Sequence, residues 1–298
     1  MTPGGRSDQG SLAEAVLRAA GVTRRFGDFT AVDDVTMSVA AGEVVGLLGA
    51  NGAGKTTLMR MLLGLLQTTE GAVEMLGGPP DQKRRARMGY VPQGLGLWRD
   101  LTVRENLEFS GRAYGLARTE PPAEFDAVAD TLVGDLSLGV QRQVAFAVAL
   151  AHQPEVLLLD EPTSGVDALA RASLWDTIRE QSKQGVGVLV TTHYMEEAQQ
   201  CDRLLLMSSG RLVAQGSERD VVGDTTAVAV RTADWAGAFR VLNDADVPVI
   251  LDGRAIRVAD TEPDRVRRVL VDAGMDATIT SVPATIEEKM LVLARRSD

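Results

Sequence analysis

Residues 49–56 read Gly49-Ala50-Asn51-Gly52-Ala53-Gly54-Lys55-Thr56, the pattern G-x-x-x-x-G-K-[ST] of a phosphate-cradling loop. The run before it, Glu43-Val44-Val45-Gly46-Leu47-Leu48, has strand character. After it, Leu58, Met61, Leu62 and Leu65 recur at helical spacing. An ordinary glycine-rich turn is the bland alternative, but a strand before and a helix after are the context that phosphate binding requires. The glycines let backbone N–H groups converge on phosphate oxygens, and the helix adds the positive end of its dipole. In that geometry Lys55 reaches the β- and γ-phosphates and Thr56 ligates Mg²⁺.

Two further runs, Val156-Leu157-Leu158-Leu159 and Val186-Gly187-Val188-Leu189-Val190, read as strands buried on both faces of a parallel sheet. They end in Asp160-Glu161 and in Thr191-Thr192-His193. Ligands of open α/β sheets sit at the carboxyl ends of strands, so three such ends point to one shared site. Asp160 is placed to hold Mg²⁺ through its water shell, and Glu161 to orient or deprotonate an attacking water. Without the phosphate loop, the same acids would read as a solvated strand end.

Composition narrows the function classes. The 298 residues suffice for one large domain plus a small one, or two medium ones. A net charge of −10 argues against a surface that coats nucleic acid and against unaided anchoring on an anionic membrane. Cys201 is the single cysteine, which forbids an intramolecular disulfide and fits a reducing compartment. No apolar run is long enough to span a bilayer, and Met1–Gln9 lacks the apolar stretch of a signal peptide. Any membrane task therefore calls for a second chain.

Residues 1–13 read as a flexible tail and 14–216 as the nucleotide-binding domain. After Gly216 the expected order is strand (Thr226–Arg231), helix (Trp235–Asp244), strand (Val247–Asp252), strand (Ala255–Ala259), helix (Pro263–Ala273) and strand (Ala277–Val282). That order describes a split-βαβ, ferredoxin-like α+β unit over 217–298. A closing amphipathic helix over 285–295 places Ile286, Met290 and Leu293 on one face.

Taken together, these motifs make residues 15–215 resemble the nucleotide-binding subunits of ATP-binding-cassette (ABC) transporters. The motifs stand in that family's order. Phe26, in Arg24-Arg25-Phe26-Gly27, matches the aromatic that stacks on adenine. The phosphate loop follows, then Gln93 in Gly89-Tyr90-Val91-Pro92-Gln93, which matches the glutamine that senses Mg²⁺ and water. Leu136-Ser137-Leu138-Gly139-Val140 matches the signature, and Ser164-Gly165-Val166-Asp167 the D-loop. His193 matches the switch histidine on the γ-phosphate. Singly, each has a bland reading: a core aromatic, a surface amide, a polar strand end. His152 keeps such a reading, as a satisfied polar group.

The resemblance implies an α/β P-loop NTPase of ABC type with a small helical subdomain over about 94–141, and an ATP, Mg²⁺-dependent ATPase. Phe26, Gly49, Asn51, Gly52, Ala53, Gly54, Lys55, Thr56, Thr57, Ser137, Gly139 and Asp167 would bind nucleotide. Thr56, Gln93 and Asp160 would serve the metal, and Lys55, Gln93, Glu161 and His193 the chemistry. Ser137 opens a helix, and with the amides near Gly139 it forms an anion site that in this family faces the partner subunit's ATP. The implied assembly is a homodimer, or a heterodimer with another ABC ATPase. It works on the cytoplasmic face of the membrane beneath a separate permease and binds no nucleic acid.

Departures from the family pattern are informative. Leu138 stands where glycine is usual and Val140 where glutamine is frequent, a form similar to that of drug- and antibiotic-export ATPases. Val148 stands where many relatives carry arginine. Asn106–Gly115 reads as the first helix of the helical subdomain. Arg118-Thr119-Glu120-Pro121-Pro122 then breaks the chain, and too little remains before Asp135 for a full second helix. Two alternatives stay open on these residues: a soluble ABC ATPase without transport, and an ATP-binding module with weak hydrolysis.

Overall fold

The computed structural model describes residues 15–192 and 194–297. The expected tail over 1–13 and His193 lie outside these residues. Two compact units part between Leu212 and Val213, whereas the composition shift comes at Gly216.

The first unit holds strands β1 (Ala15–Phe26), β2 (Phe29–Ala40), β3 (Val44–Leu48), β4 (Glu70–Met75), β5 (Met88–Val91), β6 (Val156–Asp160), β7 (Gly187–Thr192) and β8 (Arg203–Ser208), with β9 (Arg211–Gly216) at its end. Its helices are α1 (Lys55–Leu62), α2 (Gln82–Arg85), α3 (Val103–Ala113), α4 (Leu138–Leu150), α5 (Ala168–Lys183) and α6 (Met195–Ala198).

Six strands form one sheet in the order β5-β6-β7-β3-β8-β9. The pairs from β5 to β8 are parallel, with Asp160 opposite Thr191 and Thr191 opposite Leu47. The three strands whose ends carry chemistry are thus neighbours, β6-β7-β3, as the shared-site expectation requires. Every residue of these three strands is buried, because both faces are covered. Val45, Leu47, Leu158 and Leu189 pack with Leu58, Met59 and Leu62 of α1. Alternate residues Val44, Leu157, Leu159, Val188 and Val190 pack with Phe146 of α4 and Leu174, Trp175 and Ile178 of α5. The period of two thus divides one apolar run between two cores.

A second sheet, β2-β1-β4, is antiparallel. No sequence signal pointed to it. Register shifts between Ala19 and Val22 and again near Arg24 break the alternation of β1, as bulges do.

Helix α3 begins at Val103, earlier than the expected Asn106. Thr102 and Glu105 form a reciprocal capping box that fixes the start. Asn106 is buried instead, and its amide donates to the carbonyls of Trp98 and Thr102, both at 2.9 Å. Past the proline pair, only two short 3₁₀ stretches, Ala123–Val128 and Val133–Asp135, precede α4. A full second helix is absent there, as the short segment implied.

The second unit contains α7 (Glu218–Val222), β10 (Thr226–Arg231), α8 (Trp235–Asp244), β11 (Val249–Asp252), β12 (Ala255–Ala259), α9 (Pro263–Asp272), β13 (Thr278–Pro283) and α10 (Ile286–Ser297). Its antiparallel sheet runs β11-β12-β10-β13. The closing helix carries Ile286, Met290 and Leu293 at i, i+4 and i+7, on one face as expected. Among its described side chains Ile286, Glu288 and Val292 are buried, while Met290 and Leu293 are half-buried. Arg257 of β12 donates to the wholly buried Glu288 at 2.7 and 3.0 Å, which pairs the charge on that side of the helix.

Candidate functional site

The phosphate loop leaves β3 and enters α1 through Gly54, the N-cap residue, at φ +100°. A Cβ built there would lie 2.5 Å from the Ala31 carbonyl oxygen, so both backbone conformation and space demand glycine. Lys55 is buried and its Nζ donates to the carbonyls of Gly49 and Ala50, at 2.7 and 3.1 Å. The ammonium thereby lies folded within the loop that would wrap a phosphate. Burial lowers its pKa, against the opposing charges of Glu161 and Asp160.

Asp160 and Glu161 emerge from β6. Asp160 is buried, and its Oδ1 accepts from Thr191 Oγ1 at 2.7 Å. The same hydroxyl accepts from the Glu161 N–H at 2.9 Å, and the Thr191 carbonyl is 3.2 Å from that nitrogen. Glu161 has φ +48°, a left-handed conformation uncommon outside glycine and frequent at functional sites. The Thr191 contacts hold its backbone there. Gln93, beyond β5, donates from Nε2 to Glu161 Oε2 at 3.2 Å. Five expected site residues therefore converge on one end of the sheet: Lys55, Thr56, Gln93, Asp160 and Glu161.

Phe26 ends β1 opposite Phe29 and is 47% exposed. The Arg24 guanidinium lies 4.6 Å from its ring centroid. Ser137 caps α4 and, like Leu138, is exposed at the helix start. Within the chain this signature meets the D-loop. A Cβ at Gly165 would lie 3.1 Å from Leu138 Cδ2, and one at Gly139 would lie 3.8 Å from Asp167 Oδ2. Asp167 is the N-cap of α5: its Oδ1 accepts from Leu169 and Ala170 N–H. Those amides hold its carboxyl below the usual range.

The donor set suits Mg²⁺ chemically. The Thr56 hydroxyl, the Gln93 amide and the Asp160 carboxylate offer hard oxygens, as that ion prefers. No cluster of three His, Cys, Asp or Glu side chains able to hold a metal occurs among the described residues.

Several residues escaped sequence reasoning. Arg142 is 4% exposed; its Nη2 donates to the Ser164 carbonyl at 3.0 Å, while Nε and Nη1 find no partner. An arginine amid Val144, Ala145 and Phe146 was the available signal. Glu197, 1% exposed, accepts from Thr163 Oγ1 and from Thr192 Oγ1, the latter at 2.5 Å. No spacing marks it. His152 departs from the satisfied polar group expected: Nε2 meets the Met88 carbonyl at 3.0 Å and the ring stacks on Tyr114, but Nδ1 is buried without a partner.

Comparison with known proteins adds kinship to this geometry. The ABC transporter family model matches residues 32–164. "Probable multidrug ABC transporter ATP-binding protein YbhF" of Escherichia coli is 40% identical over 225 residues, covering 72% of this chain. The match spans 39% of that relative's own length. "Nod factor export ATP-binding protein I" of Mesorhizobium japonicum is 35% identical across 96% of this chain and 88% of its own. Among solved structures, an ATP-binding subunit of an ABC transporter gives a TM-score of 0.63 at 28% identity, over 70% of this chain and 92% of the other. The ADP conformation of the cassette MJ1267 gives 0.58 at 26% identity, over 68% and 91%.

Proposed function

This chain belongs to the ABC transporter ATP-binding proteins, and we propose that it binds and hydrolyses ATP to drive export through a separate permease. The observation that carries the reading is the Gln93–Glu161 contact of 3.2 Å beside a buried Lys55 at the end of adjacent parallel strands. It gives one site a phosphate cradle, a carboxylate base and an amide bonded to that base.

In the proposed reaction, water attacks the γ-phosphorus and the bond to the β-phosphate oxygen breaks. Glu161 orients the water and takes its proton. Lys55 leaves the Gly49 and Ala50 carbonyls for phosphate oxygens and, with His193, stabilises charge in the transition state. Mg²⁺ held near Thr56, Gln93 and Asp160 would neutralise the β- and γ-phosphate oxygens. Phe26 offers its exposed ring to adenine. Asn51, Gly52, Ala53 and Thr57 complete the cradle. Ser137 and Gly139 would close the ATP held by a second subunit, homologous or identical, with Asp167 beside them.

No described helix is long and apolar enough to cross a membrane; in the proposed assembly the chain sits on the cytoplasmic face, held there by the permease. Relatives named for multidrug transport and for Nod factor export support export of a drug, antibiotic or other hydrophobic molecule. The βαββαβ order of residues 226–283 supports a ferredoxin-like accessory domain. Glu161→Gln should retain ATP binding, trap a closed dimer and lower turnover by about 10²–10⁴-fold, measured as steady-state phosphate release. Near-normal release would remove Glu161 from its role. Lys55→Ala should instead weaken nucleotide binding itself, and co-expression with a polytopic permease encoded beside this chain should yield a stable, ATPase-active complex.

A further inference from the structure

We infer that Glu197 is a positioning residue for the catalytic pair Glu161 and His193, an inference that rests on the ATPase reading above. Glu197 lies in α6, 1% exposed, and each carboxylate oxygen accepts one hydroxyl. Oε1 takes Thr163 Oγ1, two residues beyond Glu161, and Oε2 takes Thr192 Oγ1 at 2.5 Å. Thr192 directly precedes position 193, and its hydroxyl accepts in turn from the Tyr194 N–H at 3.0 Å. Residues on both sides of position 193 are therefore tied to one carboxylate. So is the loop that follows the strained backbone of Glu161.

Arg171 of α5 completes the cluster. Its Nε lies 3.7 Å from Glu197 Oε1, Nη1 lies 3.3 Å from Glu196, and its guanidinium stands 4.8 Å from the Tyr194 ring centroid. Burying a carboxylate is costly unless it is bonded and paired. Here the bonds run from the two loops that carry the base and the switch residue, so this buried charge sets their relative position. A glutamine replaces it only in part. Its single oxygen can accept from one hydroxyl, and the other hydroxyl would face an NH₂ and have to accept instead of donate.

The test compares the purified full chain with Glu197→Gln, Thr163→Val, Thr192→Val, His193→Ala and the Glu197→Gln/His193→Ala double variant, with Glu161→Gln alongside. Readouts are kcat and KM for MgATP, affinity for a fluorescent ATP analogue, and the melting profile. Glu197→Gln should lower kcat about 10- to 100-fold, the scale of a small misplacement of reacting groups. KM should stay within about twofold, since ground-state binding is untouched. Each threonine variant should reproduce part of the loss while melting as a folded protein. Combined with His193→Ala, Glu197→Gln should add little, because the two act through one unit. Wild-type kcat in Glu197→Gln, or losses that multiply in the double variant, would overturn the positioning role while leaving the ATPase reading intact. So would a fall in kcat that disappears once activity is normalised to folded protein. Wild-type turnover in Glu161→Gln would remove Glu161 from the base role and the positioning role with it, whereas a wild-type chain that binds MgATP and never releases phosphate would overturn the ATPase reading on which both rest.

Discussion

Replacing Thr191 by valine would remove a single hydroxyl from the centre of the sheet and keep the side-chain shape. Thr191 is wholly buried, and its Oγ1 serves two partners at once: it donates to Asp160 at 2.7 Å and accepts from the Glu161 N–H at 2.9 Å. A hydrogen bond to a charged group contributes about 1.5–3 kcal/mol, and a neutral one about 0.5–1.5 kcal/mol. The Glu161 N–H would keep its longer contact with the Thr191 carbonyl at 3.2 Å, so roughly half of the second value survives. The expected loss is about 2–4 kcal/mol. Catalysis should suffer as well, because the left-handed backbone of Glu161 loses its shorter tether. Denaturant unfolding gives the stability change, and phosphate release gives kcat. Thr191→Ser restores the hydroxyl and should recover most of both. Thr191→Val with wild-type stability and turnover would refute the claim that this hydroxyl holds the acidic strand end.

Three further outcomes follow from other parts of the molecule. Arg142→Met exchanges a buried cation with two unpartnered nitrogens for an apolar side chain. Such exchanges are commonly neutral or stabilising, so the melting temperature should hold or rise, while loss of the Ser164 anchor lowers phosphate release. Glu288→Gln breaks the buried pair with Arg257 and should cost about 3–5 kcal/mol, read as earlier unfolding and faster proteolysis of the second unit. Burial holds His152 below the ordinary imidazole range. The unfolded chain then binds the extra proton, so stability falls as pH drops below about 6.5, and His152→Gln should flatten the dependence of the melting temperature on pH in that range.

Signals carried by short contiguous stretches were legible in the sequence. The octet 49–56 announces itself because glycine, lysine and threonine are each needed at a fixed place, and Asp160-Glu161 stands out as charge at the end of an apolar run. That the ends of β3, β6 and β7 share one site followed from the rule that ligands gather at strand ends; their order in the sheet did not. Other features depend on tertiary partners. The β2-β1-β4 sheet was hidden because bulges scramble the alternation in β1. The burial of Glu288 in α10 was not legible because apolar periodicity ignores a buried ion pair, here Arg257 with Glu288. Arg142 and Glu197 were missed because their roles lie in the carbonyl and hydroxyl groups they reach, at sequence distances that no motif encodes. The start of α3 was off by less than a turn because Thr102-Val103-Arg104-Glu105, a capping box in plain view, was passed over.

The two threonines at the end of β7 carry a consequence for how this site can vary. Adjacent residues of a strand face opposite sides of the sheet. Thr191 accordingly reaches Asp160, while Thr192 reaches Glu197. The site depends on parity as well as composition. Moving both hydroxyls one position along the strand, with Val190→Thr and Thr192→Val, would keep the number of threonines and the length of the chain. Yet the side of the sheet that faces Asp160 and the side that faces Glu197 would no longer each receive a hydroxyl at the same level. Odd and even positions here answer to different halves of the catalytic apparatus, and neutral drift in this strand is confined to exchanges that respect that division.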